Sequence, residues 1–198
     1  MPSGNELRLL APLLLVAVTG CATAPLSGPE TLPGSVSLPN PEAPSELQQF
    51  GRFVGKWQCS VERADAADPS AAMAGAATWV WSYAMEGFAI QDLWLPAGSG
   101  ESSLSTATGL RVYDRDTGSW RVAWTSVDRP EFSLFDATLE NGDMVMTGQT
   151  TEFDLRMVFT GITDREFAWF QEARERVEDA AWLPIARMRC SRVVGNER

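Results

Sequence analysis

Polar and apolar residues change their rhythm at Lys56. From there to the C-terminus they alternate in short runs broken by turn-forming residues, and helical spacing is scarce. About ten such runs predict strands, over residues 56–63, 76–85, 88–95, 104–113, 119–126, 132–139, 144–150, 153–162, 166–174 and 182–193. Glu86-Gly87, Asp116-Thr117-Gly118 and Asn141-Gly142-Asp143 predict hairpin turns, because Gly and Asn accept the positive φ that tight turns demand. The exception is 45–54, where Leu47, Phe50 and Val54 share one helical face and Ser45 can cap.

The alternation also assigns faces. Trp120, Val122 and Trp124 oppose Arg121, Ala123 and Thr125. Phe153, Leu155, Met157 and Phe159 oppose Asp154, Arg156, Val158 and Thr160. In the last strand Trp182, Ala186, Met188 and Cys190 oppose Arg187, Arg189 and Ser191. Half-buried antiparallel strands at even spacing make a sandwich or a barrel.

The chain before Lys56 follows other rules. Arg8 precedes an apolar run over 9–18, broken by Pro12, and then come Thr19, Gly20 and Cys21. A basic start, a short apolar stretch and small residues before a cut describe a secretory leader. Val18-Thr19-Gly20-Cys21 resembles the bacterial lipobox, which implies lipidation of Cys21 and a signal peptide over 1–20. The alternatives are a plain secretory signal, or a short buried helix with an incidental Cys. The run is too short to span a bilayer, which takes about 20 apolar residues. Ala22 stands where an inner-membrane lipoprotein would carry Asp. The resemblance therefore implies the periplasmic face of the outer membrane. Pro25, Pro29, Pro33, Pro39, Pro41 and Pro44 mark 21–44 as an extended tether, and 45–198 is left as one domain.

Charge and composition narrow the chemistry. A net charge of −10 argues against nucleic acid as a partner and against docking on anionic lipid, so membrane contact is expected through the anchor alone. The chain has no His, which excludes His-based catalytic pairs, His-ligated haem and the usual zinc sites. With two Cys beyond Cys21 there is no thiolate cluster either. We assign no catalytic residue, metal or cofactor, and the oligomeric state stays open.

Short motifs add a family resemblance. Phe53-Val54-Gly55-Lys56-Trp57 resembles the F-x-G-x-W opening of lipocalin-like (calycin-type) barrels, in which a first-strand Trp plugs the floor. Tyr113-Asp114 with Thr117-Gly118 and Trp120 resembles the YD-x-x-T-G-x-W hairpin of a bacterial family of exported lipocalin-like proteins. Glu178-Asp179-Ala180-Ala181-Trp182 is similar to that family's DGG-x-W turn, with Ala in place of both Gly. The implied fold is an all-β, antiparallel, up-and-down barrel of about ten strands with a short N-terminal helix. In such a barrel the first and last strands are antiparallel neighbours. Cys59 and Cys190 lie on the apolar faces of those strands, and placing them opposite each other pairs Lys56 with Val193 and Arg63 with Ala186. We expect a Cys59–Cys190 disulfide, which an exported compartment permits; two buried thiols are the alternative.

Ten strands would leave room inside for a small molecule. Trp81, Trp94, Trp124 and Trp169, with Met144, Met146, Met157 and Met188, are the expected walls, and such walls suit apolar or planar ligands. The same rings would equally form a packed core. Asp92 shares a face with Phe88, Ile90 and Trp94, Asp136 with Phe132 and Leu134, and Gln171 follows Phe167 and Trp169. Either carboxylate would orient a ligand or move a proton, or simply pair with a nearby Arg. The expected function is an anchored binder of a small apolar molecule. An isomerase or cyclase using a lumen carboxylate, and a structural protein with a filled barrel, are the other classes.

Overall fold

The computed structural model describes residues 35–63, 73–97 and 106–194. Cys21, the leader and most of the expected tether lie outside them. A short helix, α1 (Leu47–Gly51), precedes ten strands: β1 (Gly55–Arg63), β2 (Met73–Ala84), β3 (Ala89–Pro96), β4 (Ala107–Asp114), β5 (Ser119–Ser126), β6 (Ser133–Glu140), β7 (Asp143–Gln149), β8 (Phe153–Thr160), β9 (Glu166–Glu175) and β10 (Leu183–Arg192). Each pairs antiparallel with the next, and β1 pairs with β10, which closes the sheet into a barrel. The fold is the expected all-β antiparallel barrel.

Turn chemistry explains why the chain reverses where it does. Asn141 and Gly142 take φ of 53° and 93°, the left-handed pair that suits the twist of the strands it joins. At the β4–β5 turn Asp114 accepts hydrogen bonds from the backbone N–H of Asp116 (2.9 Å) and of Thr117 (3.3 Å). Those donors, that of Asp116 foremost, hold its carboxyl below the ordinary value. In the β9–β10 connection the left-handed residue is Asp179, with φ of 58°, and neither Ala takes that role.

The seam has the expected register. Cys59 faces Cys190 and Arg63 faces Ala186, while Val193 donates its N–H to the carbonyl of Lys56 at 2.8 Å. The two cysteines are bonded, Sγ–Sγ 2.02 Å.

One end of the barrel is sealed by α1. Leu47, Phe50, Phe53 and Trp57 are fully buried there, and the Phe50 ring meets Trp81 of β2, Trp120 of β5 and Phe159 of β8. Trp57 donates Nε1–H to the Phe53 carbonyl (2.6 Å), and Trp120 donates its own to Gln49 Oε1 (2.9 Å). The Arg192 guanidinium lies 4.1 Å from the centre of the Trp57 ring. It also bonds the carbonyls of Val54, Arg52 and Asp164 at 2.5–2.8 Å, so the last strand clamps the first turn of the domain. Burial lowers the pKa of Arg192, and the Asp164 charge opposes that shift.

Several sequence expectations change. Ser45 does not cap α1; its hydroxyl donates to Glu46 instead. Residues 35–44, expected as free tether, are held on the barrel: Val36 N–H bonds the Tyr83 carbonyl, Asn40 N–H that of Gly87, and Arg115 reaches the Glu42 carbonyl. Residues 35–44 therefore do not extend away from the barrel as their proline content implies. Trp182 sits outside β10, its ring between the guanidiniums of Arg156 (4.7 Å) and Arg174 (4.8 Å). Those two arginines belong to the outward faces of β8 and β9, so Trp182 does not share the inner face of Met188. A register shift between Pro184 and Ala186 resets the alternation there.

Candidate functional site

The interior is built in two storeys. The lower one is the sealed floor of Phe50, Phe53, Trp57, Trp81, Trp120, Phe159 and Phe167, all inward and all buried. The upper one faces the end away from α1, where β3 finishes and β4 begins. There Trp94, Phe135, Leu155 and Trp169 pack on the core yet remain partly exposed. Trp124, on the face of Trp120 and Val122, is partly exposed as well. Large side chains that point inward and still meet solvent line this upper storey, the cup. The connections 127–132, 150–152 and 176–182 lie at the same end.

Between the storeys stands a buried ion pair. Asp92 of β3 and Arg111 of β4 have side chains only 1% and 2% exposed, and Arg111 Nη1 donates to Asp92 Oδ1. Trp79 Nε1–H donates to the other carboxylate oxygen at 2.7 Å. The guanidinium lies 4.3 Å from the centre of the Trp81 ring and 5.1 Å from that of Phe50. A buried carboxylate is tolerable only when paired and hydrogen-bonded, and Asp92 is both. Its backbone carbonyl accepts from Thr108 Oγ1 at 2.7 Å. Gly109, opposite Asp92 in register, has no room for a side chain: a Cβ there would come 2.5 Å from Asp92 Oδ1.

The remaining expected residues fall as follows. Met146 and Met157 are cross-strand partners on β7 and β8, buried in the wall, and Met144 pairs with Phe159 beneath them. Met188 faces Trp169 across β9 and β10. Gln171 points inward beside Met157, partly exposed. Trp94 meets Trp79 edge to face at 5.2 Å. Trp81 is inward and fully buried, its ring centre 4.3 Å from the Arg111 guanidinium. Asp136 corrects the sequence reading: it faces outward and pairs with Arg121 at 2.5 Å, both more than half exposed. Phe132 and Leu134, expected to mark an inner face with it, are 70% and 66% exposed. The inner phase of β6 is that of Phe135 and Ala137, with Ser133 and Leu139 at its ends.

Sequence reasoning missed Arg111, Trp79, Phe135 and Gly109. The signal for Arg111 was available, since an inward Asp92 requires a cation on a neighbouring strand, and Arg111 is the basic residue within β4. The apolar pair Leu110 and Val112 pointed to the opposite phase, yet both are outward and 37% exposed. Chemically, Asp92 is committed to two donors and Asp136 is outside the barrel, so neither carboxylate is free in the interior. Among the described residues no group of three His, Cys, Asp or Glu could hold a metal.

No family model matches the chain, and no curated protein matches it. Solved structures do. The S-type phycobiliprotein lyase CPES from Guillardia theta is similar over 75% of this chain and 92% of its own, at 10% identity and a TM-score of 0.53. Rv2717c from M. tuberculosis is similar over 77% of this chain and 100% of its own, at 12% identity and a TM-score of 0.54. At such identities the likeness is one of fold, a ten-strand calycin-like barrel.

Proposed function

We propose that the barrel binds a small apolar, ring-bearing molecule in the cup above the Asp92–Arg111 pair. One observation carries this reading: Trp94, Trp124, Phe135, Leu155 and Trp169 point inward yet stay partly exposed, while Phe50, Phe53, Trp57, Trp81, Trp120, Phe159 and Phe167 below them are buried. A barrel filled by its own side chains would bury both storeys alike. Aromatic walls give such a molecule contact area at small entropic cost, and Met146, Met157 and Met188 let the wall adapt to its outline. A phycobiliprotein lyase among the similar folds is compatible with a barrel that handles a small molecule, though fold likeness does not name it.

Titration with 1-anilinonaphthalene-8-sulfonate, followed by quenching of Trp fluorescence, tests the reading. Saturable quenching that weakens in Trp94→Ala and Trp169→Ala is expected. Quenching that grows linearly without saturation would refute an open cup.

The same proposal places the barrel in the cell envelope, on the periplasmic face of the outer membrane, with Cys21 lipidated. Its support is the Val18-Thr19-Gly20-Cys21 motif and the Pro-rich stretch that follows. Membrane fractionation checks it: the full chain should pellet with membranes and Cys21→Ser should not. Equal release of both would sink the anchor without touching the cup.

A further inference from the structure

The polar unit between the two storeys holds more donors than acceptors. Both oxygens of Asp92 are committed, one to Arg111 and one to Trp79. Arg111 Nε and Trp81 Nε1 are buried without a hydrogen-bond partner among the described residues. They are neighbours, since the guanidinium lies 4.3 Å from the centre of the Trp81 ring. The third such atom, Ser82 Oγ, follows Trp81 in β2 and so belongs to the outward face. Leaving a buried donor unmet carries a desolvation cost that no bond repays. The unit is incomplete.

We propose that the bound molecule supplies the missing acceptor, a neutral carbonyl oxygen on an apolar ring system, directed at Arg111 and Trp81. This inference rests on the lumen-binding reading above and names the chemistry of its ligand. Charge decides in favour of a neutral group. Asp92 and Arg111 already cancel, and a ligand carboxylate would place an uncompensated negative charge beside Asp92 where water is excluded. An amine would bring another donor to a site already rich in donors. A pure hydrocarbon would leave both N–H groups unmet.

The pair is closely seated, because Gly109 on β4 leaves to Asp92 Oδ1 and Arg111 Nη1 the space a side chain would take, and reaching it requires the opposite wall to give way. In a ring of ten strands β8 lies opposite β3, and there Met157, with Met146 beside it, forms the facing wall. Unbranched thioether side chains re-pack readily, which lets a ring edge slide down to the buried guanidinium.

Three tricyclic probes of one size separate the outcomes: 9-fluorenone, fluorene and fluorene-9-carboxylate, each titrated by Trp quenching against the full chain. Fluorenone is expected to bind about tenfold tighter than fluorene, the worth of one hydrogen bond, with the carboxylate weakest. In the Asp92→Leu/Arg111→Leu variant fluorenone and fluorene should bind alike. A second readout needs no variant: the carbonyl stretch of bound fluorenone should move to lower wavenumber than in an apolar solvent. Equal binding of fluorenone and fluorene, first rank for the carboxylate, or an unshifted carbonyl band would each overturn the proposal while leaving the cup in place. If none of the three binds, the lumen-binding reading falls with it.

Discussion

Substituting Gly109 by Ala tests whether the buried pair shapes the barrel wall. In a strand interior this change ordinarily stabilises by roughly 0.5–1 kcal/mol, because Gly loses more backbone freedom on folding. Here the new Cβ would lie 2.5 Å from Asp92 Oδ1 and 3.1 Å from Arg111 Nη1. Side-chain ends often yield to such intrusion. These are pinned, Asp92 by Arg111 and Trp79, and Arg111 against the faces of Trp81 and Phe50. Overpacking a fixed core site costs about 1–3 kcal/mol, and separating a buried ion pair about 3–5 kcal/mol. We expect Gly109→Ala to destabilise by about 2–4 kcal/mol, which lowers the Tm by about 2–4 °C for each kcal/mol. Urea unfolding followed by Trp fluorescence, disulfide intact, measures it. Gly75→Ala is the control: Gly75 is in β2 with nothing within 4 Å of its would-be Cβ, so it should stabilise slightly. In an Asp92→Ala/Arg111→Met background, Gly109→Ala should lose its cost. The same penalty in both backgrounds would refute the reasoning, as would a stabilising effect in the parent.

Other expectations follow from the same geometry. Replacing both Cys59 and Cys190 by Ala should remove about 4–5 kcal/mol by loop-entropy estimates, since 131 residues separate them; intact mass should rise by two hydrogens only when reductant is added under denaturing conditions. Arg121→Ala should cost less than about 1 kcal/mol, because its pair with Asp136 is exposed, and even that should fade with added salt in denaturant titrations. The pKa of Tyr83 is raised by burial, with the Gln48 hydrogen bond opposing, so the fold favours its neutral phenol. Its contribution should be complete below about pH 10 and be lost as pH rises through the higher folded value. Tyr83→Phe should flatten that alkaline fall in a pH series of thermal melts; an unchanged slope would remove Tyr83 as its source.

Strand positions were legible because turn residues are explicit. Asn141-Gly142 and Gly118 announce where the chain reverses, and β5 (Ser119–Ser126) coincides with its predicted run. The seam was legible too, because two cysteines and a fixed strand order leave one sensible register. Faces were harder. An inner face is recognised by its apolar residues, and β4 inverts the rule by burying Arg111 while exposing Leu110 and Val112. β6 misleads in the same way, with Leu134 outside and Phe135 inside. Phe135 lies against Gly148 on β7, a site where any Cβ would strike the ring, so small and large residues are matched across strands rather than along them. A single sequence displays the second pattern and conceals the first. The phase of those two strands therefore had to be seen in three dimensions, whereas Trp94, Trp124 and Trp169 are inward as their alternation suggests.

The disulfide seam has a consequence for how the barrel comes to exist. Nine of its ten strand pairings join neighbours along the chain and can zip up hairpin by hairpin. The tenth must bring together two strands from opposite ends of the domain, across the longest search the topology contains. A sheet in which that pairing is missing has two unpaired edges, the feature most prone to association with other chains. Oxidation of Cys59 and Cys190 fixes that pairing in one chemical event. A quality-control system that reads free thiols would thus read, in this chain, whether the ring has shut.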